Sequence, residues 1–138
     1  MQCNPYLGFD GACREAFEFY ARVLGGTIQM MMTNGESPAA AQLPKEAHGR
    51  IMHARLTFDG QTLMGADAPP GHFSKPAGFC VALHVDSTDR ARKIFDALSE
   101  NGQVQMPFQP TFWAKGFGMA IDRFGTPWIV NGEEIPLS

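Results

Sequence analysis

The chain has 138 residues, of which 44% are hydrophobic and 18% charged, and its formal net charge is −3. This length suits one compact domain, or two small halves that share a core. The eleven Lys and Arg residues are scattered, which argues against a nucleic-acid-binding surface. No apolar run approaches the ~20 residues of a membrane span, and the N-terminus lacks a signal-peptide pattern. We therefore expect a cytoplasmic protein without nucleic-acid or membrane partners.

The sulfur-containing residues bear on the compartment and on the core. Cys3, Cys13 and Cys80 form an odd set without CxxC spacing, which predicts reduced and mostly buried thiols. Eight methionines and eleven phenylalanines supply an adaptable core, or the lining of a permissive pocket.

The first half of the chain predicts one strand, a helix and three further strands. The helix is expected at 11–24, with Asp10 as its N-cap and Gly25-Gly26 at its end. Asp59-Gly60 predicts a tight hairpin turn, and 34–49 predicts a loop. The strands are expected at 6–10, 27–32, 51–58 and 62–67. The apolar stripe of the helix comprises Ala16, Phe17, Tyr20, Val23 and Leu24.

The second half repeats this order after a proline-rich connector, 68–76, which cannot sustain a helix or an inner strand. A helix is expected at 88–100, capped by Asp86 or Ser87, and a loop with Trp113 at 109–114. The strands are expected at 79–85, 103–107, 117–122 and 128–131.

Sliding the sequence by 76 residues aligns eight identical pairs within 7–30, although the helix stripes match better with a one-residue slip. This repetition predicts an α+β fold of two tandem βαβββ modules, with curled mixed sheets around a cleft. We expect module 1 at about 1–68, a linker at about 69–77 and module 2 at about 78–138, as one domain over 1–138.

Strand alternation sorts residues between the helix side of each sheet and the cleft. The apolar pairs Leu7/Phe9 and Leu83/Val85 are expected under the helices, and the opposite faces carry Tyr6 and His84, among others. In strand 51–58 the helix side is expected to carry Met52, Ala54, Leu56 and Phe58. The cleft side carries His53, Arg55 and Thr57.

His53 and Arg55 are the best candidates for polar anchors. An Arg guanidinium can bind a carboxylate or phosphate, and a His can transfer protons near neutral pH, so His53 is the best catalytic candidate. The alternative is a structural His and a solvated or Asp-paired Arg. Tyr6, Met64, Trp113 and Phe117 complete the expected ligand-binding set, although Trp113 and Phe117 would serve equally as core.

Other chemistry-bearing side chains have simpler interpretations. Trp128 is expected in the core, and Asp67 is expected to cap the connector turn. His48 and His72 lie in expected loops and should be solvated.

An ordered set of short motifs resembles the PhnB-like branch of the glyoxalase/bleomycin-resistance/dioxygenase (vicinal oxygen chelate) superfamily. The resemblance runs over nearly the whole chain, and the branch also carries an old demethylubiquinone methyltransferase label. It is carried by Pro5-Tyr6-Leu7, Glu15–Tyr20, Leu24-Gly25-Gly26, Ile51–Leu56, Gly60, Leu63-Met64, Val85-Asp86, Trp113, Phe117-Gly118-Met119, Asp122–Gly125 and Trp128.

The resemblance implies the paired βαβββ fold, a homodimer and a cavity in each curled sheet. It also implies a divalent metal held by His and Glu, as in glyoxalase I, fosfomycin-resistance enzymes and extradiol dioxygenases. Here the corresponding positions carry Asn4 or Pro5, Arg55, Cys80 and Ile129. Only Cys80 could donate, and a site needs three or four donors. We expect no such metal centre and no cofactor; a divalent metal would need other ligands. The sequence also lacks the glycine-rich nucleotide-binding motif that would support the methyltransferase label.

Three functions remain open. The first is a ligand-binding or sequestering protein with an aromatic, Met-lined cleft. The second is a lyase or isomerase, either with a displaced metal site or metal-free with His53 as base and Arg55 as anion clamp. The third is an assembly or regulatory partner. Fold alone does not decide between them.

Overall fold

The computed structural model describes residues 1–136 and divides the chain into two compact units, Met1–Lys75 and a second unit that begins at Pro76. Each unit contains a strand, a helix and three more strands. The first unit comprises β1 (Tyr6–Phe9), α1 (Cys13–Leu24), β2 (Thr27–Thr33), β3 (Ile51–Phe58) and β4 (Gln61–Asp67). The second comprises β5 (Val81–His84), α2 (Thr88–Ser99), β6 (Gln103–Gln109), β7 (Phe117–Ile121) and β8 (Pro127–Asn131).

Both units have the same sheet topology. The strand orders are β1-β4-β3-β2 and β5-β8-β7-β6, and in each sheet the first and fourth strands are parallel while the other neighbours are antiparallel. This confirms the predicted α+β fold of two repeated βαβββ modules. The helices begin 75 residues apart, at Cys13 and Thr88, whereas β2 and β6 begin 76 apart, at Thr27 and Gln103. The one-residue slip seen in the sequence is therefore real.

Each helix packs on one face of its own sheet, because its apolar stripe meets the apolar face of the strands. In the first unit Leu7 and Phe9 are buried, as predicted. In β3, however, Met52 is exposed and Phe58 is half-buried, so only Ala54 and Leu56 follow the expected burial. The second unit buries Leu83, Val85, Ala91, Phe95, Leu98, Trp128 and Val130.

The start of α1 differs from the prediction. The residue at the N-cap is Ala12, which makes no side-chain bond, and Asp10 instead forms an ion pair with Arg50 at 2.9 Å. The buried Asp67 carboxylate takes the capping role. Its Oδ1 accepts from the backbone N–H groups of Gly11 and Cys13, at 2.8 and 3.0 Å. Asp67 therefore caps the helix rather than the connector turn.

The second unit caps its helix in a related way. Ser87, one of the two caps expected from the sequence, is the N-cap of α2 and accepts from the backbone N–H of Arg90. Glu133, just beyond β8, adds two more bonds by accepting from the backbone N–H and from the hydroxyl of Thr88. In both units a carboxylate at or just beyond the fourth strand thus satisfies N–H groups at the start of the helix.

The segment between β2 and β3 is more ordered than a simple loop. It forms three short 3-10 turns, at Asn34–Glu36, Ala40–Gln42 and Lys45–Ala47. His48 was expected to be solvated, but its Nε2 lies 2.9 and 3.1 Å from the carbonyl oxygens of Ala40 and Leu43 and holds these turns together. His72 is exposed, as expected.

Several boundaries also differ from the expected ones. Strand β5 begins at Val81 rather than at 79, and β6 continues through Pro107 to Gln109, which an edge strand permits. Of the cysteines only Cys13 is buried; Cys3 is exposed and Cys80 is half-buried. The segment 68–80 contains no helix or strand. No helix within residues 1–136 is long and apolar enough to cross a membrane.

Candidate functional site

The open face of the first sheet, on the side away from α1, gathers four of the six predicted site residues. Strand pairing places Tyr6 beside Met64, and Met64 beside Arg55, across β1, β4 and β3. His53 lies two residues from Arg55 on β3 and so shares its face. The alternation that buries Ala54 and Leu56 under α1 directs His53 and Arg55 to this face.

Tyr6 and His53 form a polar aromatic pair. The Tyr6 hydroxyl lies 3.0 Å from His53 Nδ1, and the ring centroids are 5.7 Å apart at an interplanar angle of 31°. Partial burial, with a smaller contribution from Cys13, raises the pKa of the Tyr6 phenol above its ordinary value of 10.0. The phenol therefore keeps its proton at neutral pH and can donate it to Nδ1, which would leave the His53 proton on Nε2 as a donor.

Arg55 carries the charge of this face. Its side chain is exposed, and Nη2 donates to the Met64 thioether sulfur at 3.8 Å. Across residues 1–136 no carboxylate lies within ion-pair distance of the Arg55 guanidinium. Because a thioether is a weak acceptor, most of the donors of this guanidinium remain available to a ligand.

Two methionines on β2 belong to this face and were not among the predicted residues. Met30 pairs with Arg55, and Met32 pairs with His53. Met30 and Met64 therefore flank Arg55 on its two neighbouring strands. The signal was present in the sequence, because an antiparallel β2–β3 pair places cross-strand partners on the same face.

The other two predicted residues, Trp113 and Phe117, lie in the second unit and contact each other. Their ring centroids are 5.1 Å apart in an edge-to-face arrangement, and Phe112, 74% exposed, packs on Trp113 at 4.8 Å. The Thr111 hydroxyl accepts from the backbone N–H groups of Trp113 and Ala114 and fixes this turn. Phe112 was not singled out from the sequence.

A surface depression in the second unit contains none of the predicted residues. It is lined by His84, Val85, Asp86, Gly132, Glu133 and Glu134. The Glu133 carboxylate is already bound to Lys115 and Thr88, and these bonds lower its pKa below the ordinary value of 4.5. The capping of α2 thus explains the conformation of the Glu133 side chain in this depression.

The residues of this chain do not fit the metal centre that the resemblance implies. Arg55 occupies one expected ligand position and places a cation where a divalent metal would have to bind. Ile129, at another, has no donor atom. Among residues 1–136, no group of three or more His, Cys, Asp or Glu side chains could hold a metal ion.

Comparison with known proteins places the chain in a family. Residues 1–131 match the model of the family described as 3-demethylubiquinone-9 3-methyltransferase. The chain is 35% identical to protein YjdN of Escherichia coli, with 95% of both chains covered. It is 46% identical to the solved structure of protein PA1353 from Pseudomonas aeruginosa, with a TM-score of 0.89 and coverage of 96% and 98%.

More distant solved structures share the fold. A PhnB protein from Bacillus cereus is 23% identical with a TM-score of 0.80, covering 96% of this chain and 99% of its own. The fosfomycin resistance protein FosX from Listeria monocytogenes is 6% identical with a TM-score of 0.65, covering 96% and 92%. This chain therefore belongs to the 3-demethylubiquinone-9 3-methyltransferase family.

Proposed function

We propose that this chain is a small-molecule-binding protein that holds an organic anion on the open face of its first sheet, without a glyoxalase-type metal centre. The observation that carries this proposal is Arg55, whose exposed guanidinium meets no carboxylate among residues 1–136 and donates only to a thioether. A guanidinium held in this way presents paired donors to a carboxylate or phosphate.

The side chains around Arg55 favour a ligand that also has an apolar part. Tyr6, Met30 and Met64 offer an aromatic ring and two thioethers, which adapt to varied shapes. The Nε2 of His53 adds a second donor when Tyr6 donates to Nδ1. Trp113 and Phe117 stay candidate ligand contacts on the second unit. A small aromatic carboxylate is the simplest molecule that matches the first-unit side chains.

Benzoate tests this proposal, with benzamide as an uncharged probe of the same shape. We expect benzoate but not benzamide to bind, as measured by isothermal titration calorimetry. Arg55→Gln should weaken benzoate binding by at least about tenfold, because a charge-assisted hydrogen bond contributes roughly 1.5–3 kcal/mol. Arg22→Gln, at an exposed position in the last turn of α1, is the matched control. Equal benzoate affinity in the Arg55→Gln and Arg22→Gln variants would contradict the proposal.

A second candidate is a metal-free lyase or isomerase with His53 as general base. The 3.0 Å contact between the Tyr6 hydroxyl and His53 Nδ1 favours it, since an imidazole oriented through one nitrogen can exchange a proton through the other. For any substrate that the chain turns over, His53→Ala should abolish the dependence of the rate on pH. Unchanged turnover in His53→Ala would remove His53 from the mechanism.

We further propose that the chain acts as a cytoplasmic homodimer of single-domain subunits, with modules at about 1–68 and 78–138. The homodimer rests on the family resemblance. The compartment is supported by the cysteines, since Cys3, Cys13 and Cys80 are all free thiols, as is typical of reducing compartments.

A further inference from the structure

The arginine at the candidate site lies between two oxidisable side chains. Met64 accepts a hydrogen bond from Arg55 Nη2 at 3.8 Å, and Met30 is the partner of Arg55 on the opposite strand. Met30 is 43% exposed and Met64 is half-buried at the open face, so we expect a small oxidant to reach both side chains. Reaction at the Met64 sulfur would change the chemical environment of the guanidinium.

We propose that Met64 is a peroxide-modification site whose product closes the anion site. The thioether sulfur attacks one peroxide oxygen, forming an S–O bond and breaking the O–O bond. The proton of the transferred oxygen passes to the departing hydroxide, which leaves as water. Methionine is thereby oxidised by two electrons to its sulfoxide, and the peroxide is reduced. Met30 is a second position for the same reaction.

The sulfoxide differs from the thioether in the property that matters to Arg55. A thioether is a weak acceptor, whereas a sulfoxide carries a strongly polar oxygen. Because Met64 Sδ already faces Arg55 Nη2, the new oxygen lies within reach of a charge-assisted hydrogen bond without movement of either strand. The oxidised side chain then occupies donors that an anion would need. Only this last consequence rests on the proposed function.

The modification itself can be tested without any ligand. The full chain is treated with hydrogen peroxide, and sulfoxide at each methionine is quantified by peptide mass spectrometry. Phenylglyoxal, which reacts with free guanidinium groups, then reports how accessible Arg55 is, with Arg22 as an internal reference. Met64→Leu, alone and with Met30→Leu, removes the sulfur at similar volume. Met106→Leu is the control, because Met106 is 42% exposed but lies on β6 of the second unit.

We expect peroxide to slow phenylglyoxal labelling of Arg55 about tenfold in the wild type and in Met106→Leu, as a charge-assisted hydrogen bond must first break. Labelling in the double Met64→Leu/Met30→Leu variant should not change. Two results would overturn the inference. One is that Arg55 labelling stays unchanged although Met64 has become a sulfoxide; the other is that Met64 remains unoxidised when Met106 is fully oxidised. Benzoate titration of the same samples separates the proposed modification from the proposed anion binding. If peroxide slows Arg55 labelling but the unoxidised chain does not bind benzoate, only the proposal of anion binding is contradicted.

Discussion

At the scale of single residues, Asp67 organises the candidate site although it does not belong to it. Its carboxylate is buried and accepts three backbone N–H groups, from Gly11, Cys13 and Ile51. These groups lie before α1, at its first residue and at the start of β3. Asp67 therefore ties the helix to the strand that carries His53 and Arg55.

Asp67→Ala should lower the free energy of unfolding by about 2–5 kcal/mol, because each buried N–H group left without a partner costs about 1–3 kcal/mol and the substitution frees two, those of Cys13 and Ile51. Urea denaturation followed by circular dichroism measures this loss. Asp10→Ala is the matched control, since it breaks only the exposed ion pair with Arg50 and should cost no more than ~1 kcal/mol. Similar losses for the two variants would show that Asp67 is not the helix cap.

The positions of His53 and Arg55 could be predicted from the sequence, whereas the capping role of Asp67 could not. Alternation in β3 identified His53 and Arg55 because one face of this strand is apolar at its centre. It could not identify Asp67 as the helix cap, because Cys13, whose N–H it accepts, is 54 positions away in the chain. The nearby Asp10 satisfied the local rule for an N-cap, and that prediction was wrong.

At the scale of elements, glycine sets how closely each helix approaches its sheet. A Cβ at Gly65 on β4 would lie 2.8 Å from both the Leu7 carbonyl oxygen and the Phe17 ring. A Cβ at Gly118 on β7 would lie 2.6 Å from the Phe95 ring. A side chain at either position would push the helix away from the strands, so the close packing of each helix requires glycine at this strand position.

Gly65→Ala should therefore destabilise the protein by about 1–3 kcal/mol, the usual cost of overpacking a core. Gly118→Ala should cost less, because its neighbour is a side chain that can shift whereas Gly65 also faces backbone. Gly8→Ala is the control, since no atom lies within 4 Å of its Cβ position. Thermal unfolding of the three variants tests this ranking, and a Gly8→Ala variant as unstable as Gly65→Ala would contradict it.

The kind of signal that determines each element explains which elements the sequence predicted well. The turn at Asp59-Gly60 was predictable because both residues adopt a positive φ, of 47° and 73°, which this residue pair favours. The three 3-10 turns between β2 and β3 have no apolar periodicity. They depend on specific bonds, such as those of Thr33 with Glu36 and of His48 with two carbonyls, so composition alone suggested a loop.

At the scale of the whole molecule, the repeated modules share a topology but differ on their open faces. The third strand of the first unit presents His53, Arg55 and Thr57, whereas that of the second presents Phe117, Met119 and Ile121. The two modules therefore share an apolar helix-side core but differ in the side chains of their open faces. A charge anchor exists on one face, and the other supplies apolar surface. Neither strand supplies the set of His and Glu side chains that a metal centre in this fold would need.

This divergence predicts the response of the whole protein to metal ions. After treatment with a chelator, addition of Mn(II), Zn(II), Ni(II) or Fe(II) should leave the melting temperature unchanged. A bound ion at one hundred times its dissociation constant would add about 2.7 kcal/mol to the free energy of unfolding. For a chain of this size that gain corresponds to roughly 8 °C, a shift that differential scanning calorimetry resolves easily. A shift of this size with one ion, or stoichiometric metal in protein purified without a chelator, would contradict the proposal of a site without a metal ion. The ligands would then have to come from side chains other than Arg55 and Ile129, and the enzyme candidate would take precedence over the binding protein.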